Sequence, residues 1–172
     1  MEYNVFMRKA RKTDLKKILA IIEGAKKSLK KDGIDQWQID PMGYDFLSGQ
    51  IDKEKSYVYE ENGEVLAYGF LSNYKEKSYD PVDDKFLGKN YITIHTFAVK
   101  SDQKCKKIGT KFLVDIKSYA KSIGLDSIRI DTHEDNTKML GLIKKFSFKK
   151  RGQIFIDEAG AKKPRIAYEL IL

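Results

Sequence analysis

Cysteine is almost missing from this chain. Cys105 is the only one among 172 residues, so no internal disulfide can form, and the chain suits a reducing compartment. Long apolar runs are missing too. None approaches the roughly 18 residues a membrane span needs, and the polar, mixed amino-terminal stretch is unlike a signal peptide. These absences point to a cytoplasmic protein with no membrane partner. Histidine is scarce: His95 and His133 are the only side chains that ordinarily titrate near neutral pH. No five like charges occur in a row, which argues against a nucleic-acid-binding tail.

What is present is lysine and enough apolar material for a core. The formal net charge is +8, which favours an anionic partner: nucleic acid, acidic lipid or a phosphorylated small molecule. The alternative is a lysine-rich solvated surface. The apolar share is 41%, with 12% aromatic, so nothing reads as disordered. A chain this long fits one domain, 1–172, and buries roughly 70% of its unfolded surface.

Periodicity orders the elements. Residues 3–9 read as a strand, and Thr13 caps a helix carrying Leu15, Ile18, Leu19, Ile22 and Ala25 that stops at Gly33. A second short helix falls near 43–51. Asn62-Gly63 separates two apolar strands and is the preferred centre of a two-residue hairpin turn. Residues 73–90 are charged and irregular, and a loop this long is usually functional or mobile. A strand follows, Tyr91 to Val99, then an amphipathic helix from Ile108 to Gly124. Residues 126–133 alternate as a strand, with Arg129, Asp131 and His133 on one face. Asn136 caps another helix. Strands near 148–156 and 165–171 close the chain, joined by a polar loop with Gly160 and Pro164. The order predicts an α/β fold (α+β mixed), a mixed sheet with helices on both faces.

The stretch Asp102-Gln103-Lys104-Cys105-Lys106-Lys107-Ile108-Gly109-Thr110 is the main chemical signal. Three lysines crowd the point where a strand hands over to a helix. A helix amino terminus carries about four unpaired N–H groups and roughly half a positive charge, which together suit a phosphate. Gly109 lets a bulky ligand approach the backbone, and Thr110 adds a hydroxyl. The alternative is an ordinary loop of solvated lysines. No Gly-Lys-Ser/Thr ending marks a Walker loop, and the glycines of a dinucleotide fingerprint are missing.

Here a resemblance emerges. The segment FAVKSDQKCKKIGTKFLVDI is similar to the acyl-CoA-binding segment of the GNAT superfamily of N-acyltransferases, in which a strand leads into an Arg/Gln-x-x-Gly-x-Gly/Ala loop. The segment DTHEDNTKMLGLIKKFSF resembles the strand and Asn-capped helix that follow. The resemblance implies a sheet of about six to seven strands, with a splay between its two central parallel strands. It implies acetyl-CoA, or a longer acyl-CoA, as co-substrate and no metal. Cofactor contacts would come from Phe97, Ala98, Val99, Lys104, Cys105, Lys106, Lys107, Ile108, Gly109, Thr110 and Asn136. Backbone groups near Phe97 and Val99 would bind the pantetheine arm, one N–H polarising the thioester carbonyl.

Three positions depart from the family pattern: Lys104 for Arg or Gln, Lys107 for the first glycine, and Ile143 where many members carry a thiolate-protonating tyrosine. With a side chain at position 107, the expectation is that its backbone avoids the left-handed region.

An amine acceptor must lose a proton, and a free alkyl ammonium resembles lysine, near pKa 10.4. His95 is the first candidate base, with Asp131 and His133 behind it. His95 is expected to share a strand face with Thr93 and Phe97. A core histidine is the alternative. Their sequence spacing makes no local metal motif. Gln36 and Trp37 lie in the connection after the first helix, which commonly lines the acceptor pocket in the resembling enzymes. Cys105 is read as a loop residue, not a nucleophile.

The resulting expectation is an N-acetyltransferase acting on a small-molecule or peptide amine. Its rivals are a basic nucleic-acid-binding module and an acyl-CoA-binding domain without catalysis. Family members are often dimers, so the resemblance leaves a homodimer open.

Overall fold

A computed structural model describes residues 5–39, 42–103 and 107–172. Strand β1 is Val5–Lys9, and a short 3₁₀ turn, Lys12–Asp14, leads into α1, Leu15–Lys31. Thr13 therefore lies in the turn and does not cap α1. Asp14 organises this corner: its carboxylate accepts the Arg11 N–H (2.8 Å) and two Arg8 N–H groups (2.8 and 3.0 Å). Arg8 lowers the Asp14 pKa, against the opposing effect of burial.

Helix α2 is Tyr44–Asp52, and β2, Ser56–Glu61, turns into β3, Glu64–Ser72. Asn62 and Gly63 both hold positive φ, 53° and 77°, as a right-twisted hairpin requires. Strand β4 is Tyr91–Val99, α3 is Ile108–Ser122, β5 is Ser127–Thr132 and α4 is Thr137–Lys145. Strands β6, Lys149–Glu158, and β7, Ala161–Ile171, form a hairpin tighter than the sequence suggests. Its turn is Ala159-Gly160, again with positive φ. Pro164 lies inside β7, opposite Phe155 of β6. Pairing of β7 with β5 begins only at Ile166, so the missing proline N–H costs no bond to β5.

The seven strands make one sheet in the order β1-β2-β3-β4-β5-β7-β6. Only β4 and β5 are parallel. Helices α1 and α2 cover one face: Leu15, Ile18, Ile22, Leu47 and Ile51 pack on Val58, Tyr68 and Ala98. Helix α3 covers the other face, where Phe112, Leu113 and Ile116 pack on Tyr59, Ile94 and Ile130. Ile143 of α4 joins this second cluster and is 3% exposed.

The irregular 73–90 segment is firmly placed. A 3₁₀ stretch, Lys77–Lys85, buries Tyr79 and Val82 against Ile154 and Ala167. Its far end is tied down by Glu169, which accepts the N–H groups of Leu87 (3.0 Å) and Gly88 (2.9 Å). Buried Arg129 donates to the Gly88 carbonyl (3.0 Å) and lies between the rings of Phe86 and Tyr91. An arginine held by two aromatic faces and a carbonyl is a rigid anchor.

Candidate active site

The site begins where two strands part. Strands β4 and β5 pair from Tyr91/Ser127 to Ile94/Ile130 and no further. Beyond Ile94, the β4 edge that faced β5 has no strand partner among the described residues, while β5 stays paired with β7 through Thr132. The splay expected between the central parallel strands is thus present. A β-bulge accompanies it. Tyr68 pairs with Ala98 and Phe70 with His95, so Thr96 and Phe97 together oppose Gly69. Thr96 takes φ 54°. The bulge adds one residue and flips the side-chain alternation downstream. Phe97 therefore turns to the α3 face and stacks on Phe112, ring centroids 5.3 Å apart. The expectation that His95 and Phe97 share a face is corrected, because strict period-two counting does not survive a bulge.

A cleft of about 810 Å³ passes through this fork, within the range of small-molecule sites. Its first end is built by the last residues of β4 and the starts of α3 and α4. Phe97, Ala98, Val99, Lys107, Ile108, Gly109, Thr110 and Asn136 all line the cleft. A Cβ on Gly109 would sit 3.5 Å from Val99 Cγ2 and 3.7 Å from Phe97 Cε1, so the bare glycine faces the β4 edge. Lys107 adopts φ 58° and ψ 25° as the residue before α3. This overturns the expectation of a backbone outside the left-handed region. A side chain there costs roughly 1–2 kcal/mol, and it stands at the glycine position of the resembling motif. Lys138 and Lys145 of α4 line the same end, and Lys145 Nζ donates to Thr110 Oγ1 (3.3 Å). Lys104, Cys105 and Lys106 lie outside the described residues.

Asn136 caps α4 as expected, its Oδ1 accepting the Met139 N–H (3.2 Å). Its Nδ2 donates to Gln36 Oε1 (3.3 Å). Gln36 Oε1 also faces the His133 N–H at 3.4 Å. Gln36 thereby ties the α1–α2 connection to the end of β5. Trp37 follows with φ 63° and lines the cleft. Gln38 Nε2 fixes the same segment by donating to the carbonyls of Lys26 (3.1 Å) and Gln36 (3.0 Å).

The second end holds the titratable groups. His95 is 21% exposed at its side chain, and its Nε2 lies 2.5 Å from Glu76 Oε1. Burial pulls the imidazole pKa down, but Glu76, helped by Asp131, outweighs burial and leaves it above the ordinary value near 6.5. Asp131 continues the register that pairs Thr93 with Arg129. Its Oδ2 accepts the Tyr79 hydroxyl at 2.5 Å. Burial raises the Asp131 carboxyl above its ordinary range, opposed by the charges of His95 and Arg165 and by Tyr79. Glu158 and Arg165 form a buried ion pair on the same wall.

His95 and Asp131 are thus brought together. His133 is directed elsewhere: its Nδ1 accepts the Asp135 N–H (3.1 Å), and it does not line the cleft. Ile143 packs in the core, and no tyrosine lines the cleft among the described residues. Glu76, Tyr79, Glu158 and Arg165 escaped the sequence reading. Only the length of the 73–90 segment hinted at the first two.

Comparison with known proteins now has a geometry to rest on. The family model described as Acetyltransferase (GNAT) family matches residues 22–148. No curated protein matches the sequence closely enough to argue from. Among solved structures, a GNAT-family acetyltransferase from Streptococcus agalactiae is 24% identical, covering 98% of this chain and 95% of that one, with a TM-score of 0.85. A putative acetyltransferase from Salmonella typhimurium, solved with its cofactor acetyl-CoA, is 19% identical over 98% of this chain and 94% of its own, at a TM-score of 0.71. A ribosomal-protein-alanine N-acetyltransferase from Brucella melitensis is 16% identical over 97% and 99%, at 0.72. At these identities the structural likeness speaks for the fold alone. The family match spans well over half of the chain, and on that ground the protein belongs to the acetyltransferase (GNAT) family.

Proposed function

We propose that this chain is an N-acetyltransferase that transfers an acetyl group from acetyl-CoA to a primary amine, by direct attack within a ternary complex. The observation that carries the reading is the fork itself: an unpaired β4 edge and a helix amino terminus on one side, and His95 against Glu76 on the other.

The residues fit the cofactor. The start of α3, with Lys107 and Lys145, suits its phosphates. The free edge of Phe97–Val99 offers N–H and C=O groups to an extended amide-bearing arm, in the manner of an added strand. When bound, acetyl-CoA supplies an acetyl group activated as a thioester. A backbone N–H of the Phe97–Val99 stretch serves as the oxyanion donor.

His95 handles the proton. With Nε2 held against Glu76, the ring's other nitrogen, Nδ1, accepts a proton from the acceptor ammonium, and the freed amine lone pair can then attack. A pKa above the ordinary value narrows the gap to an alkyl ammonium, so the raised imidazole is the better base for this step. Glu76 orients the ring and stabilises its charged form. Asp131, held by Tyr79, adds to the same field. We assign His133 no proton transfer. With Ile143 in the core, the departing thiolate is left to solvent for its proton. We read 1–172 as one acyltransferase domain, because one sheet takes strands from Val5 to Ile171. We place it in the cytoplasm on its single cysteine. No helix among the described residues is long and apolar enough to cross a membrane.

Thermal unfolding with coenzyme A tests the cofactor half. At a hundred times Kd, the ligand should add about 2.7 kcal/mol, a rise in Tm of roughly 5–11 °C for a domain of this size. Thiol release on addition of an amine panel tests the transfer. An unchanged Tm at millimolar coenzyme A would overturn the reading.

A further inference from the structure

Beyond the reacting centre, the cleft wall holds a carboxylate oxygen that the protein leaves unmatched. Glu158 is 4% exposed. Its Oε1 is bound by Arg165 Nη2, while its Oε2 has no hydrogen-bond partner among the described residues. Arg165 is itself fixed, 2% exposed, with Nη1 donating to the Pro164 carbonyl (2.7 Å). Glu158 is therefore held in place with one acceptor free. A buried acceptor without a donor is uncommon in a folded protein and unfavourable. This ion pair lines the cleft.

Acidic side chains outnumber basic ones around it. Glu76, Asp131, Asp157 and Glu158 line this end, opposed by His95 and Arg165. Of the lysines that line the cleft, Lys100 and Lys107 flank the β4–α3 connection, and Lys138 and Lys145 lie on α4. The wall also carries Trp37 and Phe46, apolar surfaces suited to the methylenes of a chain between two polar groups.

We infer that Glu158 Oε2 binds a second cationic N–H donor on the acceptor, so that the preferred substrate is a diamine rather than a monoamine. The inference rests on the transferase reading. Glu158 is not the base for the reacting nitrogen, because that nitrogen must reach His95 on β4. In the sheet order, β7 and β6 are the second and third strands from β4. Glu158, the last residue of β6, lies across the fork from His95.

The test compares kcat/KM for straight α,ω-diamines of three to six carbons with n-alkylamines of equal length, using acetyl-CoA. The wild-type enzyme should prefer its best diamine by ~10-fold or more over the matched monoamine, the worth of a hydrogen bond to a charged group. In Glu158→Gln, the amide can still accept from Arg165 but offers an N–H where Oε2 stood. The preference should fall toward one. A wild-type ratio near one overturns the inference without recourse to the variant, and so does an undiminished ratio in a folded Glu158→Gln. Turnover of none of these amines by an enzyme that binds coenzyme A overturns the diamine inference and leaves the transferase reading. Failure to bind coenzyme A overturns both.

Discussion

The two ends of the cleft are made by opposite means. The end we assign to the cofactor is built from a few stretches, 97–101, 107–110 and 136–145, and offers backbone as much as side chain. The end we assign to the acceptor is assembled from distant segments: Gln36-Trp37, Phe46, Glu76, His95, Asp131 and the Glu158–Arg165 hairpin. One end offers N–H groups, a helix dipole and lysines. The other offers carboxylates around an imidazole. The difference teaches how such a fold keeps one ligand and varies the other. A phosphate site made from a strand, a turn and a helix start survives many side-chain changes. A site made of converging side chains from distant segments changes with any of them.

The largest effect should come from removing His95. His95→Ala should lower kcat/KM by about 10²–10⁴-fold, the usual worth of general-base catalysis, while the coenzyme A-induced rise in Tm is kept. That outcome would separate the two ends. Loss of the Tm rise in a folded variant would show that the ends are not independent.

Glu76→Gln should have the next effect, and pH reveals it. The His95 pKa is raised mainly by Glu76, against burial, so the variant should titrate at lower pH. The acid limb of the kcat/KM profile should move down in pH, because the base loses its proton sooner. Stability should move in the opposite sense. A raised pKa contributes stability that is fully present below the unfolded value near 6.5 and is lost as pH rises through the folded value. The wild type should therefore exceed Glu76→Gln most clearly below pH 6.5, by about 0.5–1 kcal/mol for a partly buried pair, with the gap closing on the alkaline side. Denaturant unfolding at acid and alkaline pH checks this.

The smallest effect should be at Lys107. Lys107→Gly relieves the left-handed strain of φ 58°, which favours the fold by up to about 1 kcal/mol. It also deletes a cation near the phosphates, worth about 0.3–1 kcal/mol of ligand binding. Tm of the free protein should rise by roughly 2–4 °C, and coenzyme A should bind slightly more weakly. A fall in both would mean that the lysine side chain has a packing role at the start of α3.

Much of the fold was legible because its signals are short-ranged. The Asn62-Gly63 hairpin, the Asn136 cap and the Gly124 stop each depend on a few consecutive residues, and all stand where the sequence places them. The misplaced features are instructive. Thr13 looked like a cap, but Arg8 and Asp14 organise that corner from a neighbouring strand. Pro164 looked like a loop residue, but it lies in β7 opposite Phe155, beyond the stretch that pairs with β5. Lys107 looked unable to turn left, yet its position as the entry to α3 imposes that turn. In each case a contact or path outside the local window outweighed a local preference.

The site was legible by halves, along the same division. Gly109, Thr110 and Asn136 carry meaning through position in a strand–helix handover, which one sequence displays. Tyr79 meets Asp131 from 52 positions away, and nothing in either neighbourhood marks the other. His95 could be named because histidine is rare here; its partner Glu76 could not, being one acid among many.

Sequence alone therefore determined the order of elements, the hairpin turns and the anion-suited entry to α3, since backbone propensity and periodicity act within a turn or two. Tertiary structure decided which carboxylate meets His95, how the bulge at Thr96 turns Phe97 to the other face, and that Glu158 keeps one oxygen unmatched. Those outcomes depend on strand register and on the path of the 73–90 segment across the sheet, where packing over long sequence separations, and not local preference, selects the neighbour.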